Sequence, residues 1–176
     1  MQRYSVFLTP SDADFEYTGS LIRELCDKYD GQPFEPHITV LSGDLTDLAR
    51  LQRVVSAAVA GIRPFSLEVR KIGYSEAYFR SLFIEFEEAQ QLREIRTRLL
   101  SGLEVEPADE FLPHLSLLYS EMPLRHKQAL AKRLVLDRSK IHCDEVKIVT
   151  PRNRELGWRD TSQWQTLYHA RLGANS

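Results

Sequence analysis

The pentapeptides PHITV at 36–40 and PHLSL at 113–117 constrain this chain more than any other feature. Each sets a proline, a histidine, an apolar residue, a hydroxyl residue and a second apolar residue in the same order, and the histidines fall at positions 37 and 114 of 176, 77 apart. Side chains alternate across a β-strand, so residues i and i+2 share a face. His37 and Thr39 therefore point one way and Ile38 and Val40 the other; His114 and Ser116 repeat this against Leu115 and Leu117. The pattern predicts two equivalent strands, one near the centre of each half, each anchored by apolar residues and presenting an imidazole beside a hydroxyl.

The intervening sequence supplies elements for two such halves. Tyr4–Leu8 is rich in strand formers. Ser11 or Asp12 offers a helix N-cap, Phe15, Leu21, Ile22, Leu25 and Tyr29 recur at helical spacing, and Gly31 closes the helix. A strand follows at Ile38–Leu41. A second helix is capped by Asp44 or Thr46, carries the stripe Leu48, Leu51, Val54, Val55, Ala58 and Val59, and stops at Gly61. Strands are predicted at Phe65–Ile72 and Phe79–Phe86. A third helix carries Leu92, Ile95, Leu99 and Leu100 and ends at Gly102. A strand at Leu115–Tyr119 precedes a fourth helix with Pro123 in its first turn. Val146–Thr150 and Trp164–Leu172 read as final strands around a polar loop, Pro151–Gln163, which holds Trp158. The order β-α-β-α-β-β-α-β-α-β-β argues for an α+β protein rather than a doubly wound parallel sheet. No linker divides the chain, so residues 1–176 read as a single domain.

Composition narrows the class. Apolar residues make up 43% and charged residues 27%, which suits a folded globular chain rather than a disordered one. No apolar run reaches the length of a bilayer span, and the first residues read as a strand rather than a signal peptide, so no membrane partner is expected. Two cysteines, Cys26 and Cys143, cannot make a disulfide framework, which points to a cytoplasmic setting, with Cys26 packing in a helix. The net charge of −2 lacks the basic surplus that a long nucleic acid requires, while a small anion remains compatible. A monomer is the expected state.

An imidazole gives or takes a proton near neutral pH, and a hydroxyl donates to a phosphate oxygen. Two such pairs facing each other make a bilateral site: one histidine takes a proton from an attacking water, and the other protonates the departing oxygen. Thr39 and Ser116 hold the non-bridging oxygens. Displacement in line at phosphorus needs its acid and base on opposite sides. The symmetry leaves open which histidine is the base. His126, His142 and His169 lack the pattern and read as surface or structural. Neither motif has the spacing or the accompanying acids or cysteines of a metal site, so no metal or other cofactor is expected.

His37-Ile-Thr39-Val and His114-Leu-Ser116-Leu match the paired signature of the two-histidine (2H) phosphoesterase superfamily, which the chain resembles. Within it, YSVFLTP, PHITV, YFRSLFIEF, FLPHLSLLYSEM and TSQWQTL follow the order of the plant and fungal cyclic phosphodiesterases that act on ADP-ribose 1″,2″-cyclic phosphate. The resemblance implies a bilobal, pseudo-twofold fold of two antiparallel sheets lining a central cleft, with helices outside. It implies His37 and His114 as acid and base, and Thr39 and Ser116 as phosphate ligands. It also implies a small cyclic-phosphate nucleotide as substrate, the product being ADP-ribose 1″-phosphate, or a 2′-phosphate from a 2′,3′-cyclic nucleotide. Tyr119 matches a pocket aromatic of that family. An ideal strand would turn it to the face opposite Ser116, so a bulge or the strand's end must redirect it. Phe7 stands where the family has tryptophan and Phe79 where it has another pocket aromatic; both fit core packing equally well. Arg80, Arg154 and Arg159 are candidates for the remaining charge of a dinucleotide. The rival readings are an RNA 2′,3′-cyclic phosphodiesterase or 2′-5′ ligase-like enzyme acting on RNA ends, and a nucleotide-binding module without catalysis.

Overall fold

The computed structural model describes residues 2–107, 110–153 and 155–173. Its strands are β1 (Arg3–Pro10), β2 (Ile38–Asp44), β3 (Phe65–Tyr74), β4 (Leu82–Phe86), β5 (His114–Leu118), β6 (Lys140–Pro151) and β7 (Trp164–Arg171). Its helices are α1 (Asp12–Tyr29), α2 (Leu48–Val59), α3 (Gln90–Leu103) and α4 (Leu124–Arg133). The chain runs β-α-β-α-β twice and finishes on β7, as an α+β fold.

The pairing obeys the same twofold logic. β1 pairs with β2 as β4 pairs with β5, and β1 pairs with β6 as β4 pairs with β3, all antiparallel. Exchanging the two β-α-β-α-β units maps each contact onto another. The two antiparallel sheets expected from the sequence are thus two halves of one seven-stranded sheet. Among the described residues they join at two places: a single pair, Ile38 with Leu115, links β2 to β5. A short ladder of Phe65–Glu68 with Lys140–Cys143 links β3 to β6. Helices cross between units: α1 packs on β1 and β5, α3 on β2, α2 on α3, β6 and β7, and α4 on β3 and β4.

Each element has a local cause. β1 alternates without error, with Tyr4, Val6 and Leu8 buried in the core and Arg3, Ser5 and Phe7 turned to the other face. α2 is capped by Asp47, whose carboxylate accepts from the Arg50 amide at 3.0 Å, rather than by Asp44 or Thr46. α3 runs past Gly102; a Cβ there would lie 2.7 Å from Val54 Cγ1, so the glycine serves the close approach of α2 instead of ending the helix. Pro123 is the N-cap of α4 and precedes its first turn. The predicted strand Phe79–Phe86 begins only at Leu82, because Tyr78–Arg80 form a tight 3-10 turn. That turn is closed by the Ser81 hydroxyl, which reaches the carbonyls of Tyr78 and Ser120, both at 2.8 Å. β6 is more than twice as long as the predicted strand, since its first residues pair with β3 and its later ones with β1 and β7. Cys26 is buried in α1, in keeping with its expected packing in a helix.

Leu115 is fully buried at the joint between halves, and truncating it leaves a cavity where one strand pair holds β2 to β5. Leu115→Ala is expected to cost about 2–5 kcal/mol of unfolding free energy, read by urea denaturation.

Candidate functional site

The joint also builds the site. With Ile38 opposite Leu115 in antiparallel register, position 37 lies across from 116 and position 39 across from 114. His37, Thr39, His114 and Ser116 therefore share one face about a local twofold axis, while Ile38 and Leu115 bury their side chains on the other. All four line one cleft of about 260 Å3.

The imidazoles are held alike. His37 Nδ1 lies 2.6 Å from the Glu35 carbonyl and His114 Nδ1 lies 2.8 Å from the Leu112 carbonyl, two residues back in each case. A carbonyl only accepts, so Nδ1 carries the proton in both rings and Nε2 is left as the free nitrogen. The prolines between, Pro36 and Pro113, hold the preceding residues extended and so help to fix these carbonyls. Each ring is also backed by a phenylalanine from the neighbouring strand. Phe7 of β1 stacks on His37 at 3.6 Å between ring centres, and Phe83 of β4 meets His114 edge-on at 5.3 Å.

Three residues beyond each histidine the strand carries an extra residue. On β2 the partners of Phe7 and Val6 are Thr39 and Leu41, so Val40 is bulged; on β5 the partners of Phe83 and Leu82 are Ser116 and Leu118, so Leu117 is bulged. A bulge reverses the alternation beyond it. It brings Ser42 and Tyr119, each five residues after a histidine, onto the cleft face. Tyr119 is buried and stacks on Phe34 at 3.9 Å, and burial pushes its hydroxyl above the ordinary tyrosine range while Ser116 beside it pulls the other way. The Ser116 hydroxyl donates to the Phe79 carbonyl at 2.8 Å. Phe7 is buried yet lines the cleft, and Phe79, 40% exposed, stands at its mouth.

The remaining candidates divide. Arg80 is close enough for its charge to disfavour protonation of His114. Arg159 is taken up by Glu121 at 2.7 Å and lies 4.1 Å over the Tyr78 ring, so it braces the cleft wall instead of lining the cleft. Arg154 lies outside the described residues. His142 contacts the Ser66 hydroxyl and His169 pairs with Glu145, both away from the cleft. Arg3, Ser5, Ser42 and Trp164 also line the cleft and Phe83 backs His114, and the sequence reading singled out none of them for it. The alternation of β1 carried a signal for the first two, since Phe7 shares their face. Trp158 and Trp164, 5.4 Å apart, form the wall on the β6–β7 side. Between those strands the Thr161 hydroxyl donates to the Pro33 carbonyl at 2.8 Å.

The two histidines differ electrically. Burial is the main cause lowering His37, to about 4, and the charges of His114 and Lys147 add to it. Lys147 is itself held between Glu35 and Glu145. His114 is also lowered by burial, with Arg80 adding, but Glu85 opposite it on β4 works the other way. Among the described residues no group of three or more histidine, cysteine or acidic side chains is placed to hold a metal ion, and no helix is long and apolar enough to cross a membrane.

These features define a two-histidine site on a pseudo-symmetric α+β sheet. The sequence profile of the 2′-5′ RNA ligase superfamily matches residues 9–155, and the chain belongs to that family, the two-histidine phosphoesterases. Among characterised proteins it is 23% identical over 137 residues to the cyclic phosphodiesterase of Arabidopsis thaliana, covering 77% of this chain and 76% of that protein. In fold it is similar to TT0787 of Thermus thermophilus, with a TM-score of 0.69 and 17% identity over 99% of this chain and 100% of that one. It is similar also to E. coli LigT solved with phosphate, with a TM-score of 0.58 and 15% identity over 98% of each chain.

Because the folded state holds His37 near 4 rather than near 6.5, it binds fewer protons than the unfolded chain between those values. Stability therefore rises with pH across that window and is lost on acidification, by ~3 kcal/mol from this group once the pH is below both values. Denaturant titrations at pH 7 and pH 4.5 should show the drop, and His37→Phe should flatten it. Separately, a Cβ on Gly73 would lie 2.3 Å from the Phe83 ring. Gly73→Ala is expected to cost about 1–3 kcal/mol by overpacking and to shift the His114 ring resonances in NMR.

Proposed function

We propose that this protein hydrolyses a cyclic phosphodiester on a small nucleotide by paired histidine acid/base catalysis, without a metal. The substrate class is ADP-ribose 1″,2″-cyclic phosphate, opened to ADP-ribose 1″-phosphate, and 2′,3′-cyclic nucleotides, opened to 2′-phosphates. The observation that carries this reading is the register at Ile38–Leu115, which sets two imidazoles and two hydroxyls about one axis.

The cyclic phosphate sits between the rings, with Thr39 and Ser116 donating to its non-bridging oxygens; Ser116 exchanges the Phe79 carbonyl for the phosphate by rotating its hydroxyl. Water attacks phosphorus in line with the leaving ribose oxygen. One Nε2 takes the water's proton as the new P–O bond forms, and the other imidazolium gives its proton to the ribose oxygen as the old bond breaks. The proton gained by the first ring returns to the second through solvent. The electrical difference favours His37 as base and His114 as acid, because His37 is the more deeply buried ring and Lys147 adds to its lowering, while at His114 Glu85 works against burial and Arg80. The anionic phosphate raises both rings on binding and supplies the singly protonated pair.

The relative named a cyclic phosphodiesterase supports this reading. The net charge of −2 and the aromatic walls support a small nucleotide over a long RNA, stacking on a base or ribose face. The superfamily's name keeps an RNA end as the rival substrate.

Phosphorus NMR with ADP-ribose 1″,2″-cyclic phosphate, 2′,3′-cyclic AMP and an oligonucleotide ending in a 2′,3′-cyclic phosphate should show the first two consumed faster. Preference for the oligonucleotide would favour the RNA-end reading. Replacing His37 or His114 by Ala should each lower the rate ~10²–10⁴-fold, with a bell-shaped pH profile in the wild type and no inhibition by EDTA. Full activity in both variants would remove the mechanism.

A further inference from the structure

Beside Thr39 and His114 lies a second cavity of about 330 Å3, which shares Thr39, Ser42 and His114 with the cleft and so adjoins it. Arg80 and Arg96 line it. Arg96 comes from α3, lies 4.6 Å over the Phe111 ring, and has a buried Nη1 with no hydrogen-bond partner among the described residues. Arg80 is held over Phe83 at 5.9 Å and forms no ion pair among the described residues. The other arginines around the cleft are engaged, Arg3 by Asp44 and Arg159 by Glu121. Glu106 and Glu110 border the same cavity, yet neither is in ion-pair contact with Arg96 or Arg80.

A guanidinium with a desolvated, unsatisfied N–H is costly unless an anion completes it. Arg96 carries such an N–H, and with Arg80, which has no ion-pair partner among the described residues, it is suited to a second phosphoryl group beside the cleft, since arginine's fork matches phosphate oxygens two at a time. Thr39 and His114 line both spaces, so this cavity adjoins the position proposed for the cyclic phosphate.

We propose that Arg80 and Arg96 form a second phosphate subsite, which takes the diphosphate carried on C5 of the same ribose whose hydroxyls bear the cyclic phosphate. This deepens the proposed reaction and rests on it for the placing of the cyclic phosphate. It makes the preferred substrate a ribose cyclic phosphate with a 5-linked phosphoryl chain, rather than a bare cyclic mononucleotide. The recognition is electrostatic and bidentate, and it comes from the β4 and α3 side of the cleft, away from the tryptophan wall.

The test compares binding of adenosine 2′-monophosphate with binding of the same compound carrying a 5′-diphosphate, by calorimetry on the full chain. The 5′-diphosphate should tighten binding about ten-fold or more in the wild type, the scale of a charge-assisted hydrogen bond. That advantage should be lost in Arg80→Gln and in Arg96→Lys, the latter keeping the charge and the stem over Phe111 while removing the fork. Equal affinity for both compounds in the wild type, or an advantage that survives both variants, would overturn the subsite. Both ligands are products, so the measurement does not depend on turnover. If no cyclic phosphate is hydrolysed while the advantage holds and the variants lose it, the reaction falls and the subsite stands.

Discussion

One antiparallel pair, Ile38 against Leu115, organises this molecule. It is the only ladder contact between β2 and β5 among the described residues, and both side chains are fully buried. An antiparallel pair has its own twofold axis, so whatever flanks it in one strand is mirrored by rotation in the other. The sequence places His and a hydroxyl residue on either side of each apolar anchor. The core contact and the polar site are thus opposite faces of a single register, and slipping by one residue would turn all four groups into the core.

That register explains which features could be read before the structure. Period-two alternation is local, so the shared face of His37 with Thr39 and of His114 with Ser116 was legible from five letters. The equivalence of the two strands was legible because the five letters recur. Tyr119 needed a bulge that alternation alone does not announce; Leu117 supplies it, and Val40 supplies its twin. Ser42 escaped notice for the same reason, since nothing in LSG marks it as the counterpart of Tyr119. The stretch YFRSLFIEF reads as a strand throughout by propensity, but the Ser81 hydroxyl closes a turn at its start and puts Phe79 at the cleft mouth. Phe83 could have been found, for it alternates with Glu85 on the face that meets His114.

Two nearly equivalent halves do not make two equivalent histidines. The departures lie in what surrounds the axis: Lys147 near one ring, Arg80 and Glu85 near the other, a stacked phenylalanine on one and an edge-on phenylalanine on the other. The backbone carbonyls fix both tautomers identically, so the asymmetry enters through charge, burial and aromatic packing and not through the tautomer. Among the described residues β7 has no counterpart in the other half, and its Trp164, with Trp158, walls the cleft on the β6–β7 side.

The matched setting of the rings has a consequence for direction. Microscopic reversibility requires the reverse reaction to pass through the same transition state with the proton-acceptor and proton-donor roles exchanged. A frame built on a twofold axis already satisfies that exchange, so the imidazoles themselves do not distinguish ring opening by water from ring closure or from joining by an incoming alcohol. Choice among these outcomes passes to the walls, which decide what nucleophile can stand in line with the scissile bond.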